Sequence, residues 1–325
     1  MLQMPRQILN VSMARIIEPT REHAKRFGLK PGPSKSAMSL SIAEAILEAA
    51  QVLRRSGVTE ARREADSLLA PVLGQDRTFL ITHAGDVLTP EALTVLRDWT
   101  NRRASGEPLQ YITGHQDFFG LDFEVNHDVL IPRPETELLV ETALGLIGEK
   151  EPGPLICDVG TGSGCIIVAL LHERSKARGL AVDISPAALR VALRNATRLQ
   201  VSERATFVEA DCFAAFTQGD VRFDMIVSNP PYVPARELPT LQREVRDHEP
   251  LRALVSGDDG LAMIRRLLSE APPFLIDNGY MVLEIGYDQR AAVKQLIDAR
   301  VWKLLDIGED LQGIPRTVTL EKLGS

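Results

Sequence analysis

The chain has 325 residues, 44% of them hydrophobic, and a formal net charge of −7 from 37 basic and 44 acidic residues. This length suits about two domains, and the acidic balance argues against a free-standing nucleic-acid binder, which ordinarily has a basic excess. Apolar runs stay well below the ~18 residues that a membrane span needs. The cysteines Cys157, Cys165 and Cys212 lack zinc-binding spacing, so we expect no metal, no disulfide, no membrane partner and a cytoplasmic location.

Residues 1–37 contain several basic residues, no clear apolar core, and a linker at their end that holds Pro and Gly. We predict that this stretch is a disordered extension. An upstream start site or an organelle transit peptide are the alternative interpretations.

Helical periodicity begins directly after this extension. Ser41 and Glu44 have the spacing of a capping box, and apolar residues then repeat at helical intervals. A second helix is predicted over residues 60–73, and a third is predicted to start after Thr89 and Pro90. We therefore expect residues 38–105 to form a small helical domain, to which we assign substrate recognition.

The pattern changes after Gly106. Residues 111–125 partly alternate polar and apolar side chains around a turn at Gly120, which predicts a hairpin inside a linker of residues 106–130. Strand and helix patterns alternate over residues 131–325, so we expect a mostly parallel sheet with helices on both faces. The predicted strands are 155–159, 179–183, 205–209, 223–228, 280–285 and a final pair.

A glycine-rich loop follows the first of these strands and Asp158. It consists of Gly160, Thr161, Gly162, Ser163 and Gly164. Glycines let such a loop turn tightly and approach a ligand closely, and Asp183, at the end of the next strand, is placed to bind ribose hydroxyls. The spacing is GxGxG and not the GxGxxG of nicotinamide enzymes, so we predict S-adenosylmethionine, which has no pyrophosphate.

Phe213 follows the third strand, close to Asp211. Its ring is placed to stack on or flank the adenine of the cofactor, and Asp211 is placed to meet the adenine amino group. The alternative is that Phe213 is a core residue, and the sequence does not choose between the two interpretations.

Asn229, Pro230, Pro231 and Tyr232 end another strand. Prolines cannot donate ladder hydrogen bonds, so the chain must leave the sheet at Asn229. The Asn229 side chain and the Pro230 carbonyl then present two acceptors for the two N–H bonds of a planar amide, and Tyr232 offers a ring to stack on it. Such bonds strengthen as charge develops on nitrogen, which predicts methyl transfer to an amide nitrogen without a general base.

At these residues the chain resembles the N5-glutamine methyltransferases of peptide chain release factors, the HemK/PrmC family. The resemblance covers residues from about 38 to 320. The segments that carry it are 130–137, 158–164, Asp183, Phe213, 229–232, 244–254 and 283–286.

The resemblance implies an α/β, Rossmann-like class I S-adenosylmethionine-dependent methyltransferase domain, joined by a β-hairpin to a small N-terminal helical domain. The implied cofactor-binding residues are the glycine loop, Asp183, Phe213 and Asn229. The implied acceptor-binding residues are Asn229, Pro230, Pro231 and Tyr232, of which Asn229, Pro230 and Tyr232 would be catalytic. The implied acceptor is the glutamine of the Gly-Gly-Gln motif of release factors in translation termination, and we expect the enzyme to be a monomer.

Two other acceptors stay open. Asn-Pro-Pro-Tyr also occurs in methyltransferases that act on the exocyclic amine of adenine, and a sister family methylates a glutamine of a large-subunit ribosomal protein. The helical domain, the acidic charge and the sequence of residues 132–135 favour release factors and do not point to direct nucleic-acid binding. A non-enzymatic binding module is disfavoured by the intact Asp183 and residues 229–232.

Three residues near these motifs receive no assigned role in the site. Arg133 and Glu135 are explained nearly as well by helix entry as by contact with a ligand. His248 is expected to have a structural role in a loop near the acceptor pocket, because the mechanism above requires no histidine.

Overall fold

The computed structural model describes residues 15–16, 39–148, 152–219 and 221–324. These residues divide into two compact units. The helical unit comprises residues 39–114 and 243–248, and the sheet unit comprises the remaining described residues. Apart from Arg15–Ile16, the predicted extension over residues 1–37 lies outside the described residues.

The helices and strands have the following bounds. The helices are α1 (Ile42–Arg55), α2 (Ala61–Leu73), α3 (Arg77–Thr82), α4 (Pro90–Ala104), α5 (Leu109–Thr113), α6 (Glu137–Leu146), α7 (Cys165–Glu173), α8 (Pro186–Arg198), α9 (Arg243–His248), α10 (Ala262–Glu270) and α11 (Arg290–Leu296). The strands are β1 (Arg15–Ile16), β2 (His115–Phe118), β3 (Leu121–Glu124), β4 (Leu155–Val159), β5 (Arg178–Asp183), β6 (Ala205–Glu209), β7 (Phe223–Ser228), β8 (Leu275–Glu284), β9 (Trp302–Glu309) and β10 (Pro315–Lys322). Within the described part of the chain, none of the helices is long and apolar enough to cross a membrane.

The helical unit begins as its sequence predicts. The Ser41 hydroxyl accepts from the Glu44 N–H, and the Glu44 carboxylate accepts from the Ser41 N–H, so the capping box at α1 is confirmed. The predicted helix after Thr89 and Pro90 is α4, which already includes Pro90 as its first residue. The six-residue α3 and the five-residue α5 were not predicted, because helices this short do not display an apolar period. Fully buried leucines such as Leu53 and Leu68 fill the core of the unit.

The helical unit also contains α9, which lies far along the chain. Arg103 of α4 is 5% exposed, and its Nη2 donates to the Glu244 carboxylate of α9 at 2.6 Å. Its Nε donates to the Glu64 carboxylate of α2 at 2.5 Å. The expectation that His248 lies in a loop is wrong, because His248 ends α9 within this unit.

The sheet unit has the predicted α/β architecture. The strand order is β1-β6-β5-β4-β7-β8-β10-β9, and β4 to β8 pair in parallel. The antiparallel strands are β1, β9 and β10. The prediction of a mostly parallel sheet is confirmed, and β1, which pairs at the edge with β6, was not predicted.

Helices cover both faces of this sheet, as expected. Side chains of β4 alternate between the two cores, since Ile156 packs among residues of α6, α7 and α8 while Cys157 packs among residues of α10 and α11. All five parallel strands end at the same edge, and loops that follow them there are the usual place for a ligand in such sheets.

The predicted hairpin is present, with a shorter first arm. Phe119 and Gly120, with φ of 51° and 71°, form the turn between β2 and β3, so the turn at Gly120 is confirmed. The expectation that Tyr111–Thr113 belong to the hairpin is wrong, because these residues are helical in α5. Phe118 and Phe123 are 1% and 0% exposed and anchor the hairpin in the core beside α7 and α8.

Candidate functional site

A cavity opens at the carboxyl ends of β4, β5 and β7. The space between its walls, with the open mouth included, is about 1070 Å³. Its lining lies entirely within the sheet unit and includes four predicted groups. These are Gly160–Ser163, Asp183, Asn229 and Pro230–Pro231.

The glycine loop crosses from β4 to α7 with its backbone tied to β5. The N–H groups of Gly160 and Thr161 donate to the Val182 carbonyl at 2.8 and 3.0 Å. Gly160 and Gly162 have φ of 76° and 57°, a region that glycine adopts without strain. A Cβ at either position would meet no protein atom within 4 Å, so the absence of side chains leaves the cavity clear.

Gly164 has a packing role in the same loop. Its φ is 80°, and a Cβ there would lie 3.0 Å from the Cβ of Ala192 on α8. Gly164 does not line the cavity among the described residues, although it was predicted with the cofactor-binding set. The structure gives it the task of letting the loop approach α8 closely.

A buried amide on α8 joins the loop to the hairpin. Asn195 is 0% exposed, and its Nδ2 donates to the carbonyls of Ser163 and Glu124 at 2.9 and 3.0 Å. Its Oδ1 accepts from the Glu124 N–H at 2.7 Å. Asn195 was not predicted from the sequence, although a polar residue on the apolar face of an amphipathic helix is a signal for such a role.

Asp183 lies at the end of β5 with its carboxylate held by two backbone donors. The N–H of Gly162 donates to Oδ2 at 2.9 Å, and the N–H of Ser185 donates to Oδ1 at 2.8 Å. Burial raises the pKa of Asp183, while these two N–H bonds and the nearby Arg252 oppose that rise. An ionised carboxylate has about four acceptor positions, so each oxygen keeps capacity for one ligand hydroxyl.

Asp158, directly before the loop, is fully buried and does not line the cavity among the described residues. The Thr161 hydroxyl donates to its Oδ2 at 2.6 Å. Burial raises the pKa of Asp158 to about 7, against the opposing effect of the Thr161 bond. Through the bond from Thr161, Asp158 supports the glycine loop.

Phe213 lies in the core. It is 3% exposed, stacks on Phe274 with ring centroids 5.1 Å apart, and is absent from the described cavity lining. Of the two interpretations left open by the sequence, this geometry favours the core residue over the adenine contact. Asp211 and Cys212 line the cavity at this point instead.

Asn229 has one end of its side-chain amide committed to the protein. Its Nδ2 donates to the Thr136 hydroxyl oxygen at 3.0 Å, and that hydroxyl donates to the Glu284 carboxylate at 2.6 Å. Glu284 also accepts from the Tyr232 hydroxyl at 3.3 Å. Within the described chain no donor is hydrogen-bonded to Asn229 Oδ1, and Asn229 lines the cavity.

Glu284 is a buried carboxylate at the end of β8, 2% exposed. Burial raises its pKa to about 7, although the bonds from Thr136 and Tyr232 and the charge of Arg316 oppose the rise. Burial also raises the pKa of Tyr232 above its ordinary value. Tyr232 is half-buried and, unlike Pro230 and Pro231, is not part of the described lining of the cavity.

A second buried side-chain amide, that of Gln289, supports the chain after Asn229. Gln289 is 6% exposed, and its Nε2 donates to the carbonyls of Tyr232 and Gly260 at 3.0 and 3.2 Å. Its Oε1 accepts from the Gly286 N–H at 2.9 Å. A Cβ on Gly260 would lie 2.2 Å from the Tyr232 carbonyl oxygen, so only glycine fits there.

Thr136, Glu284 and Gln289 were not assigned to the site from the sequence. Glu284 offered a usable signal, because this carboxylate directly follows the apolar run 281–283 at the end of β8. Of the unassigned residues, Arg133 lines the cavity and donates to the Glu249 carboxylate at 2.5 Å. The carboxylate Oε1 of Glu135 lies 3.9 Å from Nη2 of Arg316.

Comparison with known proteins adds the family context. The chain matches the families described as PrmC N-terminal domain, over residues 44–114, and Methyltransferase small domain, over residues 136–246. A Burkholderia pseudomallei protein named release factor glutamine methyltransferase is 45% identical over 82% of this chain and 94% of its own length. A Bradyrhizobium diazoefficiens protein of the same name is 39% identical over 91% of this chain and 99% of its own.

Among solved structures, the hMettl16 catalytic domain in complex with the MAT2A 3′UTR hairpin 6 is 17% identical, with a TM-score of 0.50 over 74% of this chain and 84% of that chain. At that identity the likeness concerns the fold alone. Together with the two family matches, it confirms the predicted methyltransferase fold with an N-terminal helical domain.

Proposed function

The chain belongs to the release factor glutamine methyltransferase family, and from that membership we propose that it methylates the side-chain amide nitrogen of the glutamine in the Gly-Gly-Gln motif of peptide chain release factors. The methyl donor of this reaction is S-adenosylmethionine. The observation that supports the proposal most directly is the Asn229 side chain, whose Nδ2 is taken by Thr136 while its Oδ1 is left for a ligand.

The cavity fits S-adenosylmethionine. Gly160 and Gly162 leave room for the amino-acid end of the molecule, and Asp183 retains acceptor positions for the ribose hydroxyls. Asp211 and Cys212 line the cavity after β6, where the base would lie. When bound, S-adenosylmethionine supplies an electrophilic methyl group whose carbon–sulfur bond breaks as a carbon–nitrogen bond forms.

The protein's contribution to the reaction is to hold a poor nucleophile correctly. The lone pair of an amide nitrogen is delocalised into its carbonyl, so the nitrogen must be oriented and its electron density raised. Asn229 Oδ1 and the Pro230 carbonyl would each accept one N–H of the acceptor glutamine, and these bonds strengthen as positive charge develops on nitrogen. Holding the acceptor nitrogen and the methyl carbon ~3–3.5 Å apart lowers the activation barrier further. The proton leaves after the nitrogen has been alkylated.

The choice of a protein acceptor over a nucleic acid has its own support. The net charge is −7, whereas phosphate binding depends on clustered Lys and Arg. The helical unit corresponds to the family description PrmC N-terminal domain, and we assign it to recognition of the release factor. We further propose that the enzyme is cytoplasmic, acts as a monomer and needs no metal.

The test is transfer of a labelled methyl group from S-adenosylmethionine to a purified release factor, with Gln→Ala at its Gly-Gly-Gln tip as the matched acceptor control. We expect label on the wild-type factor alone, and loss of that label with the Asn229→Ala enzyme. Label on a ribosomal protein or on nucleic acid, with none on the release factor, would overturn the choice of acceptor.

A further inference from the structure

Thr136 is hydrogen-bonded to Asn229, and Glu284 is hydrogen-bonded to Thr136. Neither Thr136 nor Glu284 contributes a reacting atom. We propose that they are positioning residues for methyl transfer: Glu284, in its ionised form, fixes the direction of the Thr136 hydroxyl, and that direction determines which end of the Asn229 amide faces the cavity. This inference rests on the proposed function, because it concerns the residue that would bind the acceptor amide.

The direction of the chain of hydrogen bonds follows from the chemistry of its last member. An ionised carboxylate only accepts hydrogen bonds. The Thr136 hydroxyl, 2.6 Å from Glu284 Oε2, must therefore donate its proton there and offer its lone pairs elsewhere. The group 3.0 Å away on the other side must then be a donor, which assigns Nδ2 of Asn229 to Thr136 and Oδ1 to the cavity.

Protonation of Glu284 removes this constraint. A neutral carboxyl donates as well as accepts, so the Thr136 hydroxyl becomes free to donate toward Asn229 instead. The amide then gains a second orientation, with Oδ1 toward Thr136 and Nδ2 toward the cavity. With Nδ2 facing the cavity, Asn229 cannot accept a hydrogen bond from the N–H of an acceptor amide, so this orientation does not support methyl transfer.

The charges around Glu284 allow the ionised form to be reached near neutral pH. Burial raises the pKa of Glu284 to about 7, with a smaller contribution in the same direction from Glu135. Arg316 lowers it, as do the hydrogen bonds from Thr136 and Tyr232. The Cys165 thiol, at the start of α7, also faces Glu284, and burial keeps this thiol protonated.

Substitution at Thr136 tests the relay directly. Thr136→Val keeps the shape and removes both the donor and the acceptor, whereas Thr136→Ser keeps the hydroxyl. We expect Thr136→Val to lower kcat by at least about tenfold, or ~1.4 kcal/mol, with the Kd of S-adenosylmethionine changed less than about threefold, and Thr136→Ser to restore most of the activity. Thr319→Val is the matched control, since Thr319 is 3% exposed and its hydroxyl makes no hydrogen bond within the described chain.

The pH profile separates positioning from a merely structural role. Wild-type kcat should fall as the pH drops through about 7, and Glu284→Gln should remove this acidic limb whatever its remaining rate. The inference is overturned if Thr136→Val is as active as Thr319→Val, or if Glu284→Gln keeps the limb unchanged.

A measurement without turnover keeps this inference distinct from the proposed function. In protein labelled with ¹⁵N at asparagine, the Asn229 side-chain signal, assigned by its loss in Asn229→Asp, should shift with a midpoint near pH 7 in wild type and stay constant in Glu284→Gln. A signal that titrates equally in both proteins would refute the relay even if release factors proved not to be the acceptor. Failure of methyl transfer by wild type would count against the proposed function alone.

Discussion

The side-chain amide of Gln289 donates to the main-chain carbonyl of Tyr232 at 3.0 Å, and it does so from a position 57 residues later in the chain. Through this bond the loop before α11 supports the segment that carries Asn229. The bond lies outside the cavity, so its effect on a reaction there comes through the placement of the segment.

Replacement of Gln289 by Leu should therefore impair turnover more than cofactor binding. The carbonyls of Tyr232 and Gly260 lose their donor, and a buried unpaired carbonyl costs about 1–3 kcal/mol. We expect a lower melting temperature and a kcat reduced at least about tenfold, with a nearly unchanged Kd for S-adenosylmethionine by calorimetry. Gln312→Leu, at an exposed position, is the control; equal kcat values for the two variants would contradict the assigned role.

Asp183→Asn should weaken binding of S-adenosylmethionine. The amide nitrogen of Asn cannot accept a ribose hydroxyl, and it also opposes the N–H of Gly162 or Ser185. We expect the Kd to rise about 10–100-fold, or ~1.4–2.8 kcal/mol, when measured by calorimetry. Asp298→Asn changes a residue that is absent from the described cavity lining and should leave the Kd unchanged. An unchanged Kd in Asp183→Asn would remove Asp183 from the cofactor site.

Gly164→Ala should destabilise the fold. The added Cβ meets Ala192 at 3.0 Å, and the φ of 80° is strained for any L side chain, a cost of about 1–3 kcal/mol. Urea unfolding followed by circular dichroism measures it. Gly145→Ala is the matched control, since Gly145 lies inside α6 with no atom within 4 Å of its added Cβ, and it should be neutral or stabilising by about 0.5–1 kcal/mol. A Gly164→Ala protein as stable as wild type would show that the loop can move away from α8.

Asp158 should make the free energy of unfolding depend on pH. Its folded-state pKa of about 7 lies above its ordinary value, so the folded protein holds this proton more tightly than the unfolded chain does. The resulting stabilisation is fully present below about pH 4, is lost as the pH rises through about 7, and is on the order of a few kcal/mol.

Urea unfolding at several pH values between about 5 and 8.5 measures this dependence, and Asp158→Asn should flatten it. Some slope should remain in the variant, because Glu284 has a pKa raised to about 7 and acts with the same sign. Asp298→Asn is the control, since the pKa of that exposed carboxyl is lowered to about 2 and its titration is complete below the range measured. A slope unaffected by Asp158→Asn would mean that this carboxyl is ionised throughout.

Phe213→Leu distinguishes the two interpretations of that ring. A core role, which the stacking on Phe274 favours, predicts a loss of roughly 1–3 kcal/mol in unfolding free energy, with the Kd of S-adenosylmethionine changed less than about threefold. The opposite pattern, unchanged stability with weaker binding, would restore the adenine contact.

Several features of the site were predictable because they are local in sequence. Glycines between a strand and a helix, an acid at the end of the next strand and two prolines after a third each restrict the backbone where they stand. The rule that parallel strands end at one edge then brings Asp183 and Asn229 to one cavity, as the structure has it. Helix starts at Ser41 and Pro90 were predictable for the same local reason.

The residues that hold these groups in place were not predictable, since each acts over a long separation. Thr136 lies 93 residues from Asn229, and Glu284 lies 148 residues from Thr136. No periodicity or spacing rule connects such positions. Phe213 was ambiguous for a different reason: an aromatic side chain after a strand suits a core and a cofactor equally, and only the position of Phe274 favours the core.

The hydrogen bonds of Asn195 to Glu124 and Ser163 bear on the order in which the molecule folds. They join segments 71 and 32 residues away, at Glu124 and Ser163. Loops of these lengths must close before any of the bonds can form, and contacts of long sequence separation are the slow ones. The 32-residue separation from Ser163 should close before the 71-residue separation from Glu124. The glycine loop should therefore be fixed on α8 before the hairpin docks, and a refolding chain should regain its capacity to bind the cofactor before the hairpin is in place.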